Sequence, residues 1–259
     1  MNGRCVRVAL GQILVEPGRA DDNIGRALAT IDAAAAAGAE VLVLPECLDF
    51  GWASDAARSG AEPIPGPRAA LLAARAGAAG IVLAAGLSER AGDQMYNAAI
   101  LIDRDGTIIG QHRKINELDF ARSLYATGAK LEVFGTSIGR VGIAICADLL
   151  VPEIGAALAA MGAEIILSPS AWAVPDDHDE AVTPYGGEWR SAYGSLARQC
   201  GVAVAAASNV GRIEGGAWHG RPIIGRSLAV HGDGSIAGLA AFGREDLPVC
   251  ELRYRRGSG

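Results

Sequence analysis

The stretch that decides the fold is Gly139-Arg140-Val141-Gly142-Ile143-Ala144-Ile145-Cys146-Ala147-Asp148. Its apolar run at residues 141–145 follows a glycine turn and ends at polar residues, which predicts a short buried strand. That strand delivers Cys146 to its carboxyl end, just before a helix-like run at residues 152–161. Open α/β sheets place their chemistry at this end of a strand, so Cys146 is a candidate nucleophile. A packed core cysteine is the alternative, because free cysteine is among the most buried residue types.

Two further reactive side chains stand at or just past the ends of predicted strands. Residues 40–44 lead into Pro45-Glu46, and residues 107–112 lead into Arg113-Lys114. A free thiol has a pKa of about 8.5, so a nucleophilic cysteine needs a base or a nearby cation. Glu46 is the candidate base. Considered alone, the carboxylate of Glu46 or the ammonium group of Lys114 would be interpreted as a solvated surface charge. Lys114 and the backbone N–H of Ala147 are candidates to stabilise the negative oxygen or nitrogen formed when a carbonyl or nitrile carbon is attacked.

The rest of the chain alternates helical and strand patterns with hairpins. Asp21-Asp22-Asn23 caps the first helix, Gly38 ends it, and Asp103-Arg104-Asp105-Gly106 is a hairpin signal. This mixture favours two stacked sheets with helices outside, in one domain. The predicted helices lie at residues 21–37, 68–78, 153–161 and 189–199. The other predicted strands lie at residues 6–13, 81–85, 96–103, 131–134, 164–167, 202–208, 224–230 and 235–240.

Composition restricts the partners. Half of the 259 residues are apolar, a fifth are charged, and the net charge of −6 comes without a basic run. Such a chain forms a compact core and lacks the footprint of a nucleic-acid or anionic-membrane binder, so we expect a small-molecule substrate. No apolar run reaches the about 18 residues that span a bilayer, and the N-terminus has no signal-peptide pattern. We therefore expect a cytoplasmic protein.

No cofactor is predicted. The five cysteines lack the clustered spacing of a disulfide framework or a zinc site, and the four histidines lack ligand spacing, so we expect mostly surface or loop histidines. No phosphate-binding glycine loop and no Gly-x-Ser-x-Gly turn is present.

At Glu46, Lys114 and Cys146 the chain resembles the nitrilase superfamily of carbon–nitrogen hydrolases. The matching segments are residues 38–46, Tyr96-Asn97 with residues 103–114, and residues 142–148. The three segments occur in the same order as in the family, and the resemblance covers nearly the whole chain.

The resemblance implies an α/β fold, the αββα four-layer sandwich of the carbon–nitrogen hydrolase type, as a single domain over residues 1–259. It also implies a metal-free site with Glu46 as general base, Lys114 as oxyanion stabiliser and Cys146 as the nucleophile of a thioester or thioimidate intermediate. Protomers of this family pair, which implies a homodimer or larger homo-oligomer.

One departure from the family pattern concerns a second glutamate beyond the lysine, which orients the lysine or the attacking water in many members. Here that position is Arg122. Glu117 and Asp119 are the candidate substitutes, and Glu117 is the better one. If neither reaches Lys114, an acyl transferase or an inactive relative becomes more plausible.

The expected pocket includes a loop that the resemblance places beside the cysteine. Trp172 and Trp189, with the acidic run Asp176-Asp177-His178-Asp179-Glu180 between them, are expected to flank the pocket, and Trp172 is the candidate pocket residue. The run is either a solvated loop or a feature that favours an amine-bearing substrate. Cys47 is expected to be packed.

The function predicted from these residues is thiol-dependent hydrolysis of a small amide or N-carbamoyl compound, with release of ammonia. A nitrile substrate, transfer of the acyl group to an amine, and a non-catalytic scaffold are the alternatives.

Overall fold

The computed structural model describes residues 3–255, which form two six-stranded sheets and one three-stranded sheet. The strands are β1 (Gly3–Leu10), β2 (Leu14–Val15), β3 (Val41–Val43), β4 (Val82–Ala91), β5 (Gln94–Ile102), β6 (Ile108–Arg113), β7 (Val133–Thr136), β8 (Gly139–Ile143), β9 (Ile165–Ser170), β10 (Ala203–Ser208), β11 (Val210–Arg212), β12 (Pro222–Ile224), β13 (Leu228–Val230), β14 (Ile236–Leu239) and β15 (Val249–Arg255). The helices are α1 (Ala20–Ala36), α2 (Ala57–Gly60), α3 (Pro67–Ala79), α4 (Pro152–Ala160) and α5 (Gly187–Cys200).

The first sheet has the strand order β15-β1-β3-β4-β5-β6, the second β14-β13-β10-β9-β8-β7, and the small one β12-β11-β2. In the first sheet β1, β3 and β4 are parallel, and β5 and β6 follow as antiparallel neighbours. Two antiparallel steps restore the original direction, so β3 and β6 end at the same edge of the sheet. Glu46 and Lys114 follow these two ends.

In the first sheet, β3 and most of β4 and β5 are buried on both faces, which explains their continuous apolar runs. Successive side chains point to opposite faces. In β3, Val41 and Val43 belong to the core shared with the second sheet, whereas Leu42 packs with the apolar faces of α1 and α3. Leu158 of α4 and Leu196 of α5 cover the second sheet. The order helix, sheet, sheet, helix confirms the predicted four-layer sandwich.

The predicted helices match α1, α3, α4 and α5 closely, and most strand predictions shift only at their ends. The strand predicted at residues 141–145 ends at Ile143, and Cys146 begins a 3₁₀ turn, Cys146–Leu150. The predicted closing hairpin is β13 and β14. Strand β15, which pairs with β1, was not predicted, although its apolar residues alternate with charges as in a half-buried strand.

Within residues 3–255, no helix combines the length and the apolar character needed to cross a membrane.

Candidate active site

Glu46 and Lys114 form a buried ion pair at the shared edge of β3 and β6. Lys114 Nζ lies 2.7 Å from Glu46 Oε1, and the two side chains are 2% and 1% exposed. The backbone at Glu46 packs tightly against β4, because a Cβ built on Gly86 would lie 2.6 Å from the Cα of Glu46. Glycine at residue 86 therefore permits the close approach that fixes the carboxylate.

Glu117 completes the surroundings of the lysine, as the sequence suggested. Its Oε1 lies 3.2 Å from Lys114 Nζ, while Asn97 Nδ2 donates to Glu46 Oε1 at 2.5 Å and to Glu117 Oε2 at 2.9 Å. Asp119 is 98% exposed and pairs with Arg122 instead. Of the two candidates, Glu117 is the one that reaches Lys114.

Cys146 occupies an unusual backbone conformation at the start of its turn. Its φ of 49° lies in the left-handed region, which non-glycine residues adopt mainly where the surrounding structure enforces it, often at functional sites. Its backbone N–H donates to Ser168 Oγ at 3.3 Å on the neighbouring strand β9. Ala147 is the second residue of the turn, where a backbone N–H has no partner within the turn itself.

The charges around the sulfur are strongly coupled. Burial raises the pKa of Cys146, and the charge of Glu46 raises it further against the opposing effect of Lys114. Burial also raises the pKa of Glu46, more than Lys114 lowers it. Thiolate and carboxylate therefore disfavour each other, so thiol and carboxylate share one proton at this site. Glu46 Oε2 is buried with no hydrogen-bond partner among the described residues, so it is the oxygen free to take that proton.

The state of Lys114 follows from the same network. Burial lowers the pKa of Lys114, but the charges of Glu46 and Glu117 outweigh burial and hold it well above its usual value. Lys114 therefore stays protonated and presents a fixed positive charge.

Asp148 ties the cysteine turn to the lysine segment. One of its oxygens accepts the backbone N–H groups of Ile115 and Asn116 at 3.0 and 2.7 Å. The other accepts Ile145 N–H at 2.9 Å and contacts His112 Nε2 at 2.9 Å. The prediction of mostly surface histidines is wrong for His112, which β6 carries into the interior at 4% exposure.

Cys146, Glu46 and Lys114 line a cavity of about 210 Å³. All four tryptophans of the sequence line it too, including the predicted Trp172. The other lining residues are Trp52, Trp189, Trp218, Leu118, Ala147, Leu150, Ala171, Ala173, Tyr185 and Glu188. Trp52, Trp218, Tyr185 and Glu188 had no sequence signal, since they come from loops and a helix start whose positions only the fold determines.

Neither the acidic run nor Cys47 belongs to this cavity. In the run, Glu180 binds Arg226 at 2.7 Å and Asp176 binds Arg212 at 3.2 Å. These contacts hold the loop against the protein surface, and none of its acidic residues lines the cavity. Cys47 is fully buried, as predicted.

A larger groove of about 640 Å³ runs along β6 and includes none of the three reactive side chains. Its size therefore does not make it the reactive site. Among residues 3–255, no three His, Cys, Asp or Glu side chains converge to hold a metal ion.

The fold and the site define a class of α/β sandwich with a thiol, a carboxylate and an ammonium group at one cavity. The carbon–nitrogen hydrolase family model matches residues 7–254, so the chain belongs to this family of the nitrilase superfamily.

Two curated relatives illustrate the range of the family. Omega-amidase NIT2 of Danio rerio is 34% identical over 176 residues, covering 64% of this chain and 63% of the relative. The chain thus matches just under two thirds of that relative's length. A nitrilase of Pyrococcus abyssi is 29% identical over 255 residues, covering 95% of this chain and 89% of the relative.

Solved structures support the architecture. Nit3 of Saccharomyces cerevisiae, a member of branch 10 of the nitrilase superfamily, superposes with a TM-score of 0.81 at 27% identity, covering 96% of this chain and 90% of Nit3. A carbon–nitrogen hydrolase of Helicobacter pylori G27 superposes with a TM-score of 0.83 at 23% identity over 96% of this chain and 89% of the other, which supports the fold.

Proposed function

We propose that the chain hydrolyses a small carboxamide or N-carbamoyl compound through a thioester on Cys146. The observation that carries the proposal is the convergence of Cys146 with Glu46 and Lys114 at one cavity. A thiol, a free carboxylate oxygen and a fixed cation are the three groups that nucleophilic attack on an amide requires.

In the first step Cys146 attacks the amide carbon while Glu46 Oε2 takes the thiol proton. The sulfur–carbon bond forms as the carbonyl π electrons move to oxygen. Because the pKa of Glu46 is raised by burial, this carboxylate is a stronger base than an ordinary glutamate. The protonated Glu46 then gives its proton to the departing nitrogen, and ammonia leaves as the carbonyl reforms.

The negative oxygen formed during this attack is stabilised by two groups. Lys114 supplies a permanent positive charge in a site largely screened from water, where such charges act strongly. The backbone N–H of Ala147, unpartnered within its turn, is the second donor. Glu117 and Asn97 hold Lys114 and Glu46 in place and so limit the reorganisation needed during reaction.

In the second step water attacks the thioester. Glu46, again unprotonated, takes a proton from the water as the water oxygen bonds to the thioester carbon. The carbon–sulfur bond then breaks, and Glu46 returns the proton to the leaving sulfur, which releases the acid and restores the thiol. The contact of Glu117 with Lys114 favours hydrolysis of the thioester. Arg122, at the position of the family's second glutamate, would favour acyl transfer only if no carboxylate reached Lys114.

The relatives include an omega-amidase and a nitrilase, so amides and nitriles are both candidate substrates. A nitrile would form a thioimidate at the same sulfur, with the same need for a base and a cation. We place the amide first, because the omega-amidase relative is 34% identical to the chain over its matched residues and the nitrilase relative 29%. Acyl transfer remains the second candidate ending of the thioester.

The test is a panel of amides, N-carbamoyl amines, N-carbamoyl amino acids and nitriles, assayed for ammonia release. Adding hydroxylamine during turnover then separates the endings of the thioester. A hydrolase gives mainly the acid and a transferase mainly the hydroxamate. Absence of ammonia release across the whole panel would contradict the proposal.

We also propose that the protomers pair, as homodimers or larger homo-oligomers. The support is the family resemblance together with two exposed apolar side chains at the ends of α4, Leu150 at 39% and Met161 at 44% exposure.

A further inference from the structure

The cavity offers one unpaired charge to the remote end of a substrate. Three charged side chains line it: Glu46, Lys114 and Glu188. The charge of Lys114 is already shared between Glu46 and Glu117, and no arginine is among the lining residues. Glu188, at the start of α5, has no ion-pair partner among the residues that the structure describes. Outside the Glu46–Lys114 ion pair, the charge that lines the cavity is therefore negative.

Aromatic faces add to this balance. Trp172 and Trp189 stack with ring centroids 4.8 Å apart, and Trp189 Nε1 donates to the Tyr185 hydroxyl at 2.9 Å. The face of an aromatic ring is the negative end of its quadrupole and attracts cations. Arg221 already lies 4.5 Å from the Trp218 ring, which shows that these rings accept a cation, but Arg221 does not line the cavity.

Tyr185 lines the cavity together with Cys146 and Glu188. Burial raises the pKa of its hydroxyl, and the charges of both Cys146 and Glu188 raise it further. The hydroxyl therefore lies within electrostatic reach of both the sulfur and Glu188. A short acyl chain attached at Cys146 would occupy the same cavity as that carboxylate.

We propose that this cavity selects amides whose acyl chain ends in an alkylammonium or similar cation, with Glu188 and the neighbouring aromatic rings as the cation-binding end. This inference rests on the proposed amide hydrolysis and specifies its substrate class. The negative charge that complements the substrate is therefore assigned to Glu188 and not to the acidic run at residues 176–180.

The test compares three amides of similar length: 4-aminobutanamide, with a cationic end, pentanamide, with a neutral end, and succinamate, with an anionic end. The measured quantity is kcat/KM for ammonia release at low ionic strength. An exposed ion pair and a cation–π contact predict a preference of at least about threefold for the cation over the neutral amide. Like-charge repulsion predicts about tenfold or more for the cation over the anion.

Variants assign this preference to one residue. Glu188→Gln should lower the cation-to-neutral ratio to what the aromatic rings alone provide, and Glu188→Lys should invert the preference in favour of succinamate. Asp177→Asn, in the exposed acidic run, is the matched control and should keep the wild-type ratio. An unchanged ratio in Glu188→Gln would overturn the inference. So would a wild-type preference for succinamate, which would mean that the unpartnered indole N–H of Trp172 serves a substrate carboxylate.

A binding measurement separates this inference from the proposed function. Tryptophan fluorescence of the Cys146→Ala variant, titrated with the same three amides, reports occupancy of the cavity without turnover. Preferential binding of 4-aminobutanamide with no wild-type turnover of any amide would contradict the proposed hydrolysis and retain the cation site. Hydrolysis of all three amides at equal efficiency, with equal binding, would retain the hydrolysis and overturn the cation site.

Discussion

Glu46 has two oxygens with different roles. Oε1 accepts hydrogen bonds from Lys114 and Asn97, whereas Oε2 is buried without a partner among the described residues. One oxygen fixes the side chain and the other remains available for the proton of Cys146. Glu46 was predicted from its place after a strand. The different roles of its two oxygens could not be predicted, because they depend on Asn97, for which the only sequence signal was its place in the matching segment Tyr96-Asn97.

The pH profile follows from the surroundings of Glu46. The base must be unprotonated, and burial raises its pKa above the ordinary value of 4.5. Activity should therefore be lost as the pH falls through this raised pKa, so the acid limb of kcat/KM should lie above pH 4.5. Glu46→Gln should lower kcat/KM by about a thousandfold or more and remove this limb. A wild-type limb at or below the ordinary glutamate value would contradict the assignment.

Glu117 and Asp119 provide a matched pair of acidic residues. Glu117 contacts Lys114, whereas Asp119, two residues further on, is 98% exposed. Glu117→Gln should reduce kcat about 10- to 100-fold, because it leaves Lys114 with one carboxylate and a less fixed position. Asp119→Asn should stay within about twofold of wild type. Equal effects of the two changes, measured by steady-state kinetics, would exclude the positioning role of Glu117.

At the scale of elements, the strand-end pattern in the sequence predicted one site for Glu46, Lys114 and Cys146. In the structure β3 and β6 end at one edge, β8 precedes the cysteine turn, and the three side chains line one cavity. The pattern could not show what fixes these ends relative to one another. Asp148 does so through bonds to Ile115, Asn116 and Ile145, and its partner His112 lies on β6. Such a contact between distant segments leaves no periodic signal.

Asp148→Asn should lower the free energy of unfolding at pH 7 by about 2–4 kcal/mol, since it leaves buried N–H groups without an acceptor. Burial raises the pKa of Asp148, but the hydrogen bonds from His112 and the backbone outweigh it and hold the pKa below 3.8. The stabilisation is thus complete above pH 3.8 and is lost as the pH falls through the lower folded-state value. Chemical denaturation should show that the difference in the free energy of unfolding between wild type and Asp148→Asn becomes smaller as the pH falls below 3.8.

The control for this change is Asp177→Asn in the exposed acidic run, which should unfold close to wild type at every pH. If the difference in the free energy of unfolding between Asp148→Asn and wild type stayed constant down to strongly acidic pH, the charge of Asp148 would not contribute to stability.

At the scale of the whole molecule, the two stacked sheets were predictable because strands buried on both faces leave unbroken apolar runs, as in residues 41–44. The cavity was not predictable. Its walls combine Trp52, Trp172, Trp189 and Trp218, which lie in four separate segments, and only Trp172 and Trp189 adjoin elements that the sequence revealed.

The core of the sandwich should dominate stability. Leu167 of β9 is fully buried, whereas Leu71 of α3 is 52% exposed. Leu167→Ala should cost about 3 kcal/mol in the free energy of unfolding, and Leu71→Ala less than about 0.5 kcal/mol. Denaturant titration of both variants measures the difference, and equal costs would contradict the assigned packing.

Assembly remains a prediction at this scale. Sedimentation velocity should give at least twice the 26.5 kDa of one chain. A single species at the mass of one chain, over the micromolar concentration range, would contradict the proposed pairing.

The most direct test of the central claim is the rate of ammonia release by Cys146→Ala, with far-ultraviolet circular dichroism to verify its fold. Removal of the nucleophile predicts a loss of at least about a thousandfold relative to wild type, with an unchanged spectrum. Ammonia release near the wild-type rate by the folded variant would contradict catalysis through a thioester at Cys146.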